Sequence, residues 1–521
     1  GKLTHLSKES VNMNQNGNKR QVRDGRFGVN LLCGGISHAV KAGIALFLTP
    51  FLIRRLGIEL YGFYPIALEI MAIVGLIFGL LNSTANRYVA VEYAGARRRE
   101  AREYTSTVFV SCVVLAAAML VPLGLLVSFS PRFLDIPRGA MGEVKVFLGL
   151  MLLAGLADAV TAVFGASYDT SNRLDFRAAQ ELTAVFIKAL LLWFLLSGVF
   201  SVSIVGVGVA ILVSSLVGAI VRFFMARFLT PELLPNLRLF SFAALRRVLA
   251  SGTWYSVNEL GGWITQGGFL LMVNIGVGSE AAGVYSLSLT ASRVFGGVMM
   301  TLAGVFLPTA MRKFAAGDRE ALCADIARGQ KLIGFFMLVG VAMAVGFLKE
   351  FLSLWLGVGN TQLLRLLTVF AIVPMLSVGT ALPLFNLAVV ANRLRRMSLL
   401  YVAGALLGGG VALGLLFLTD LGILAVAAVS FAVRVLWYSV FMPFYASRLL
   451  EVEPLRLFLP ILRSYLGAGA SVGVIFALKS VCHLTSPLAV FIAAAVSLCA
   501  VLILGFLAVY GHPRERINLK I

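Results

Sequence analysis

The stretch GIELYGFY, residues 57–64, lies between two apolar segments that are each long enough to cross a membrane. The same pattern, G-x-E-x-x-G-x-Y, returns as GSEAAGVY at residues 278–285, which is 221 positions further along the chain. Glycine permits the positive φ of a tight turn, and tyrosine favours the membrane interface. Each copy is therefore predicted to be an interfacial hairpin turn. Together they predict two copies of one membrane unit.

The composition indicates a membrane protein. The chain has 521 residues, of which 59% are hydrophobic and only 13% are charged, whereas a soluble domain carries about 25% charged residues. The net charge of +20 comes from short basic clusters between apolar segments. That is the positive-inside pattern of membrane proteins, so no nucleic-acid partner is expected.

Apolar runs separated by polar breaks predict an all-α polytopic membrane protein with about 14 transmembrane helices. The predicted spans cover residues 29–53, 62–85, 104–128, 144–167, 178–199, 203–226, 250–275, 284–311, 329–348, 362–390, 398–418, 422–445, 461–481 and 487–510. Lysine and arginine concentrate in alternate loops. Both termini are therefore predicted to be cytoplasmic, and both octamers are predicted to lie on the outer side.

Two further landmarks support the repeat. AGAR at residues 94–97 corresponds to AGDR at 316–319, and NRL at 172–174 corresponds to NRL at 392–394, at offsets of 222 and 220. An even number of spans separates the copies, which predicts two pseudo-symmetric six-helix lobes related by a parallel repeat, plus two C-terminal helices. The predicted regions are a basic cytoplasmic tail (1–28), an N-lobe (29–226), a cytoplasmic linker (227–249), a C-lobe (250–445) and the last two helices with their tail (446–521).

The first hairpin carries a family resemblance. PFLIRRLG at residues 50–57, followed by YGFY at 61–64, resembles the first-hairpin signature of polysaccharide exporters, and the Asn-Arg loop at 172–173 is also similar to theirs. These are the Wzx-type lipid-linked oligosaccharide flippases of the multidrug/oligosaccharidyl-lipid/polysaccharide (MATE-like) superfamily. The resemblance covers roughly residues 28–450.

The resemblance implies a function. It implies alternating-access movement of an undecaprenyl-pyrophosphate-linked oligosaccharide across a bacterial inner membrane, for the biosynthesis of polysaccharides such as O-antigen lipopolysaccharide. It also implies a transporter rather than an enzyme, with other polysaccharide-assembly proteins as further partners.

Ionisable side chains inside the predicted spans are the candidate functional residues, because charge at bilayer depth is costly. Basic groups suit phosphate, and amide or hydroxyl groups suit sugar. The predicted substrate-binding residues are Lys41, Asn30, His38, Lys188, Arg293, Arg434, Asn258 and Gln266. The predicted ion-coupling residues, for H⁺ or Na⁺, are Glu69, Asp158 and Glu259.

Two interpretations of these charges stay open. They do not repeat at the 221-residue offset, which indicates a site specialised after duplication. Four basic residues (Lys41, Lys188, Arg293 and Arg434) face three acids, which favours a cationic cavity. The alternative is that each charge belongs to a structural ion pair between helices.

Other functions receive weaker support. The five cysteines are scattered and the four histidines form no cluster, and neither a Walker motif nor a Ser-His-Asp arrangement stands out. We therefore expect no metal, cofactor or catalytic residue. A MATE-like multidrug or metabolite antiporter would favour an acid-dominated cavity. A membrane polysaccharide polymerase or ligase would need a catalytic outer loop, and the predicted outer loops are short.

Overall fold

The computed structural model describes residues 17–198, 202–315, 319–356, 362–391, 393–481 and 487–510, and these residues are nearly all helical. The first helices are α1 (Gly17–Ala94), α2 (Arg98–Phe129), α3 (Met141–Thr161), α4 (Ala166–Thr170), α5 (Leu174–Leu196) and α6 (Ile204–Leu229). We refer to α1–α6 as the N-lobe.

The second half begins after a short linker. Its helices are α7 (Phe242–Trp263), α8 (Phe269–Gly276), α9 (Ser279–Ala315), α10 (Arg319–Gly346), α11 (Leu348–Leu356), α12 (Gln362–Ile372), α13 (Met375–Val390), α14 (Leu394–Leu418), α15 (Ile423–Leu436) and α16 (Met442–Leu450). We refer to α7–α16 as the C-lobe. Two more helices follow, α17 (Pro454–Val481) and α18 (Pro487–Tyr510).

The chain is a multi-pass membrane protein. Within the described residues, eleven helical segments are long and apolar enough to cross a membrane. One of them, Cys33–Ala94, has 62 residues and is broken at Gly57, where φ is 80° and ψ is 162°. A straight helix of that length would measure about 93 Å, roughly three times the hydrocarbon core. We call the two parts of α1, before and after Gly57, its first and second arms. The exact number of fourteen spans stays a prediction.

The two octamers are turns, as predicted, and they also touch each other. The first glycine of each copy has a positive φ, 80° at Gly57 and 126° at Gly278. The second glycines form the contact. A Cβ on Gly62 would lie 3.0 Å from the backbone nitrogen of Gly283, and a Cβ on Gly283 would lie 2.5 Å from the carbonyl oxygen of Ile58. Glycine is required there because the backbones of the two lobes approach too closely for a side chain.

Polar groups reinforce this end of the bundle, which the sequence predicts to be the outer end. Asp135 lies in the loop between α2 and α3, and its carboxylate accepts a hydrogen bond of 2.9 Å from the backbone N–H of Ser279. The backbone N–H of Asp135 donates to the side-chain oxygen of Asn274 at 3.1 Å. An N-lobe carboxylate therefore caps the N-terminus of α9, where the helix dipole favours negative charge.

A tryptophan of the C-lobe donates a hydrogen bond to an N-lobe backbone carbonyl that a proline leaves without its helical partner. Pro50 lacks an N–H, so the carbonyl of Leu46 loses its partner within the first arm of α1. The Nε1–H of Trp355, on α11, donates to that carbonyl at 2.6 Å. A partly buried carbonyl without a partner would be costly, so this bond stabilises the contact between the lobes.

The linker between the lobes is fastened to the opposite end of the N-lobe. The Ser241 hydroxyl accepts from the N–H of Ala244 at 3.3 Å and caps α7, so α7 begins at Phe242 and the second part of the predicted linker is helical. Glu232 accepts a 2.7 Å hydrogen bond from Tyr93 Oη. That bond is the main reason why the pKa of Glu232 lies below its usual value.

Candidate functional site

A cavity of about 580 Å³ lies between the lobes. Its walls come from both arms of α1 and from α9, and they are mostly small or apolar, as at Ala42, Leu68 and Val298. The polar side chains on the wall are His38, Lys41, Thr49, Tyr61, Tyr64, Thr290 and Arg293. Among the described residues that line this cavity, every ionisable side chain is basic or phenolic. We call it the central cavity.

Lys41 forms an ion pair with a carboxylate that lies outside the central cavity. Its Nζ lies 2.6 Å from Oε2 of Glu181 on α5, and the two side chains remain 27% and 39% exposed. Glu181 does not line the central cavity. The lysine therefore presents a positive charge to the cavity while its counter-ion stays in the N-lobe interior.

Arg293 has the same arrangement. Its Nη2 lies 2.6 Å from Oε1 of Glu69, which is on the second arm of α1. Trp263 Nε1 donates to the carbonyl oxygen of Glu69 at 2.9 Å. Gly267 leaves room for the carboxylate, since a Cβ at that position would collide with it. Both cations of the central cavity are thus backed by acids that do not line it.

A second cavity of about 540 Å³ lies within the N-lobe, bounded by the second arm of α1 and by helices of the α3–α6 region. Asp158 lines it and forms an ion pair with Arg222. The other carboxylate oxygen of Asp158 accepts a hydrogen bond of 2.8 Å from Ser215 Oγ. Glu181 also lines this cavity, so the Lys41–Glu181 pair forms part of the wall between the two cavities. We call it the N-lobe cavity.

Apart from Arg293, the predicted C-lobe residues do not line the central cavity. Arg434 is 4% exposed, and its guanidinium contacts the carbonyl oxygen of Ala371 at 3.5 Å and Met375 Sδ at 3.6 Å. No carboxylate pairs with it among the described residues. Its electrostatic neighbours are the phenols Tyr285, Tyr401, Tyr438 and Tyr465.

The remaining predicted residues are scattered. Asn258 is buried, Gln266 lies in the π-helical turn Ile264–Gly268, and Glu259 is exposed without an ion pair among the described residues. Lys188 is half-buried and lines neither cavity. Asn30 is on α1, but its side chain lies outside the part of the chain that the structure describes.

The structure corrects the charge count made from the sequence. Glu181 and Arg222 lie near the ends of predicted spans, where a long charged side chain is able to reach the interface, so the sequence did not mark them. In the fold they pair with Lys41 and Asp158. The count becomes five basic residues and four acids, and Lys41–Glu181, Arg222–Asp158 and Arg293–Glu69 form ion pairs. One signal in the sequence could have marked Glu181 as a candidate: its spacing from Lys188 places both residues on one face of α5.

With the fold and cavities described, comparison with known proteins is informative. No family model matches the chain. The architecture is the fold of MATE-like transporters of the MOP superfamily. An inward-facing multidrug resistance MATE family transporter of that superfamily superposes with a TM-score of 0.63 and 14% identity, over 85% of this chain and 95% of that one.

Two particular proteins extend the comparison. The lipid II flippase MurJ, in an inward closed conformation, gives a TM-score of 0.63 at 12% identity, over 92% of this chain and 99% of its own. By sequence, the chain is 22% identical over 424 residues to the uncharacterised membrane protein EpsK of Bacillus subtilis (strain 168), covering 81% of this chain and 84% of that protein. These structural neighbours are transporters and a flippase rather than enzymes.

Proposed function

We propose that this protein is a flippase that moves an undecaprenyl-pyrophosphate-linked oligosaccharide from the inner to the outer leaflet of a bacterial inner membrane. One observation carries the proposal: the central cavity presents the basic side chains Lys41, Arg293 and His38 on a wall that is mostly small or apolar. A pyrophosphate needs counter-charge inside the membrane, while the attached lipid needs an apolar surface. Arginine binds two phosphate oxygens at once, and lysine supplies a compact charge.

The carboxylates behind the cavity supply counter-charges for its two cations. An unpaired cation at this depth would cost several kcal/mol. Glu181 and Glu69 each lie 2.6 Å from one of these cations. An entering phosphate then exchanges one anionic partner for another, so neither cation is left without a counter-charge during binding.

Alternating access follows from the contact between the lobes. The Gly62–Gly283 contact and the Asp135 cap on Ser279 lie on the octamer side of the central cavity. The Trp355–Leu46 hydrogen bond joins the lobes at the level of the cavity. If that side is the outer one, the cavity is closed toward the periplasm in this conformation. Breaking these contacts would release the substrate outward, with both termini in the cytoplasm.

The acidic side chains are the proposed sites of the coupling ion. Under this proposal H⁺ or Na⁺ acts at Glu69, Asp158 or Glu259. Glu69 and Asp158 are already paired with arginines, whereas Glu259 has no ion pair among the described residues. Glu259 is therefore the acid whose protonation or Na⁺ binding would break no existing pair.

The test is a flipping assay in proteoliposomes. The full chain is reconstituted with a fluorescent undecaprenyl-pyrophosphate oligosaccharide, and transfer between leaflets is followed by quenching with dithionite. We expect wild-type protein to accelerate transfer and Arg293→Gln to slow it at least about tenfold, since a charge-assisted phosphate contact is lost. Equal rates for wild type, Arg293→Gln and empty liposomes would overturn the proposal.

A MATE-like antiporter is the second candidate, because MATE transporters share the fold and the N-lobe cavity carries acids. It predicts efflux of organic cations that Asp158→Asn abolishes, without flipping of the lipid probe. A polymerase or ligase would instead lengthen or transfer the glycan, which mass spectrometry of the recovered lipid detects. Genetic linkage to other polysaccharide-assembly proteins would add support.

A further inference from the structure

The N-lobe cavity is a second polar space that the phosphate site does not use. It runs beside the second arm of α1 from Met71 to Asn86, and it also reaches Arg177 and Gln180 on α5. Its volume of about 540 Å³ falls within the range of ligand pockets. It adjoins the central cavity at the Lys41–Glu181 pair.

Two buried polar atoms at this cavity lack partners. Tyr168 is 1% exposed, and its hydroxyl makes no hydrogen bond to any described residue. The side-chain oxygen of Asn86 is also buried without a partner in the described part of the chain. A buried polar group without a hydrogen-bond partner destabilises the protein. Two of them beside one cavity indicate a ligand that supplies the missing hydrogen bonds.

The other polar groups at the cavity leave capacity for a ligand. Glu181 uses one carboxylate oxygen on Lys41, and its side chain is still 39% exposed. Asp158 is 40% exposed beside its arginine. Gln180 adds an amide with both a donor and an acceptor. Arg177 and Arg222 also line the cavity, and each is paired with an aspartate. Paired charges, an amide and a phenol around one space match a neutral ligand with many hydroxyl groups.

We propose that the N-lobe cavity binds the sugar residue attached to the pyrophosphate, while the central cavity binds the pyrophosphate itself. This inference rests on the proposed function and assigns its substrate a second subsite. One sugar hydroxyl donates to Asn86 Oδ1, others donate to the carboxylates, and a further one accepts from Tyr168 Oη. A glycan reaches this subsite by passing Lys41 as that lysine exchanges Glu181 for phosphate.

The experiment uses the full chain in lipid nanodiscs and three probes. They are undecaprenyl pyrophosphate and its derivatives carrying one N-acetylglucosamine or one glucose. We expect wild-type protein to bind at least one glycosylated probe about tenfold more tightly than the bare lipid, since the sugar gives hydrogen-bond partners to buried groups that lack them in the described part of the chain. Equal dissociation constants for all three probes would overturn the inference.

Two substitutions locate the subsite. Tyr168→Phe removes a hydroxyl that has no partner, so it should not lower the thermal unfolding temperature. Combined with Asn86→Leu, it should reduce the sugar-dependent gain about tenfold and leave binding of the bare lipid unchanged. The matched control Tyr510→Phe, on α18, should keep the full gain.

The outcomes separate the two proposals. If Lys41→Gln weakens all probes while the Tyr168 and Asn86 variants weaken none or weaken all equally, the sugar subsite is wrong and the phosphate site stands. If Lys41→Gln changes no probe, the proposed function fails whatever the other variants do.

Discussion

Glu181 in the N-lobe and Tyr401 in the C-lobe occupy matching positions at the 220-residue offset that relates Asn172 to Asn392. Glu181 lines a cavity and holds Lys41 at 2.6 Å. Tyr401 is 3% exposed and stacks on Trp437 with ring centroids 4.5 Å apart. The same position in the repeat is a partly exposed glutamate in the N-lobe and a buried tyrosine in the C-lobe.

The turns show the opposite behaviour. Gly57 and Gly278 both keep a positive φ, and Gly62 and Gly283 make reciprocal contacts across the two lobes. Backbone geometry at the hairpins has therefore stayed equivalent, while the lobe interiors have diverged. Stacked aromatic rings fill the C-lobe interior around Tyr401, so the C-lobe acts as a rigid support. The N-lobe has a polar interior and is therefore the lobe suited to bind a ligand.

The largest expected effect comes from reversing the charge of Lys41. Lys41→Glu would place two carboxylates against each other and repel phosphate, so flipping should fall by about 100-fold, because a phosphate-binding charge is replaced by a repelling one. The exchanged pair Lys41→Glu with Glu181→Lys should recover the unfolding temperature but not the flipping rate. Full recovery of flipping by the exchanged pair would show that the ion pair is only structural.

The contact between octamers gives the next effect. Gly283→Ala places a methyl group 2.5 Å from Ile58 O, whereas Gly62→Ala places one 3.0 Å from the Gly283 nitrogen. We expect Gly283→Ala to slow flipping about tenfold and Gly62→Ala to slow it less, because the tighter contact tolerates less volume. Labelling of Thr49→Cys by a membrane-impermeant thiol reagent added outside should rise in the same order.

Gly124→Ala is the matched control for that series, since a Cβ there meets nothing within 4 Å. A slower rate in Gly124→Ala, or unchanged labelling in Gly283→Ala, would argue against closure at the octamers.

A smaller effect is expected at Trp355. Trp355→Phe removes the hydrogen bond to Leu46 O and should lower the free energy of unfolding by about 1–2 kcal/mol. In a Pro50→Ala background, the helix supplies its own N–H to Leu46, so the same substitution should cost less. Equal losses in both backgrounds, measured by denaturant unfolding in detergent, would mean that the bond does not compensate for the proline.

The smallest effect on transport is expected at Arg434. This guanidinium is 4% exposed and lies apart from the central cavity, so Arg434→Met should keep flipping within about twofold of wild type and should not lower the unfolding temperature, as a buried charge is often replaced without loss. The sequence-based assignment of Arg434 to the substrate predicts a large loss instead. The flipping rate therefore decides between the two assignments.

Part of the candidate site could be predicted from the sequence. Ionisable side chains inside the predicted spans marked His38, Lys41 and Arg293, and all three line the central cavity. Arg434 had the same signal and lies elsewhere, because hydropathy records that a charge is in the membrane and not which neighbour it faces. The roles of these residues stay predictions.

The sequence by itself determined that this is a helical membrane protein, and it located the two turns, because hydropathy and glycine placement are local properties of the chain. Only the tertiary structure decided which charges meet. Lys41 and Glu181 are 140 residues apart, and Glu69 and Arg293 are 224 apart. Such partners depend on how helices pack. The same packing separates a cationic cavity between the lobes from a polar cavity inside one of them.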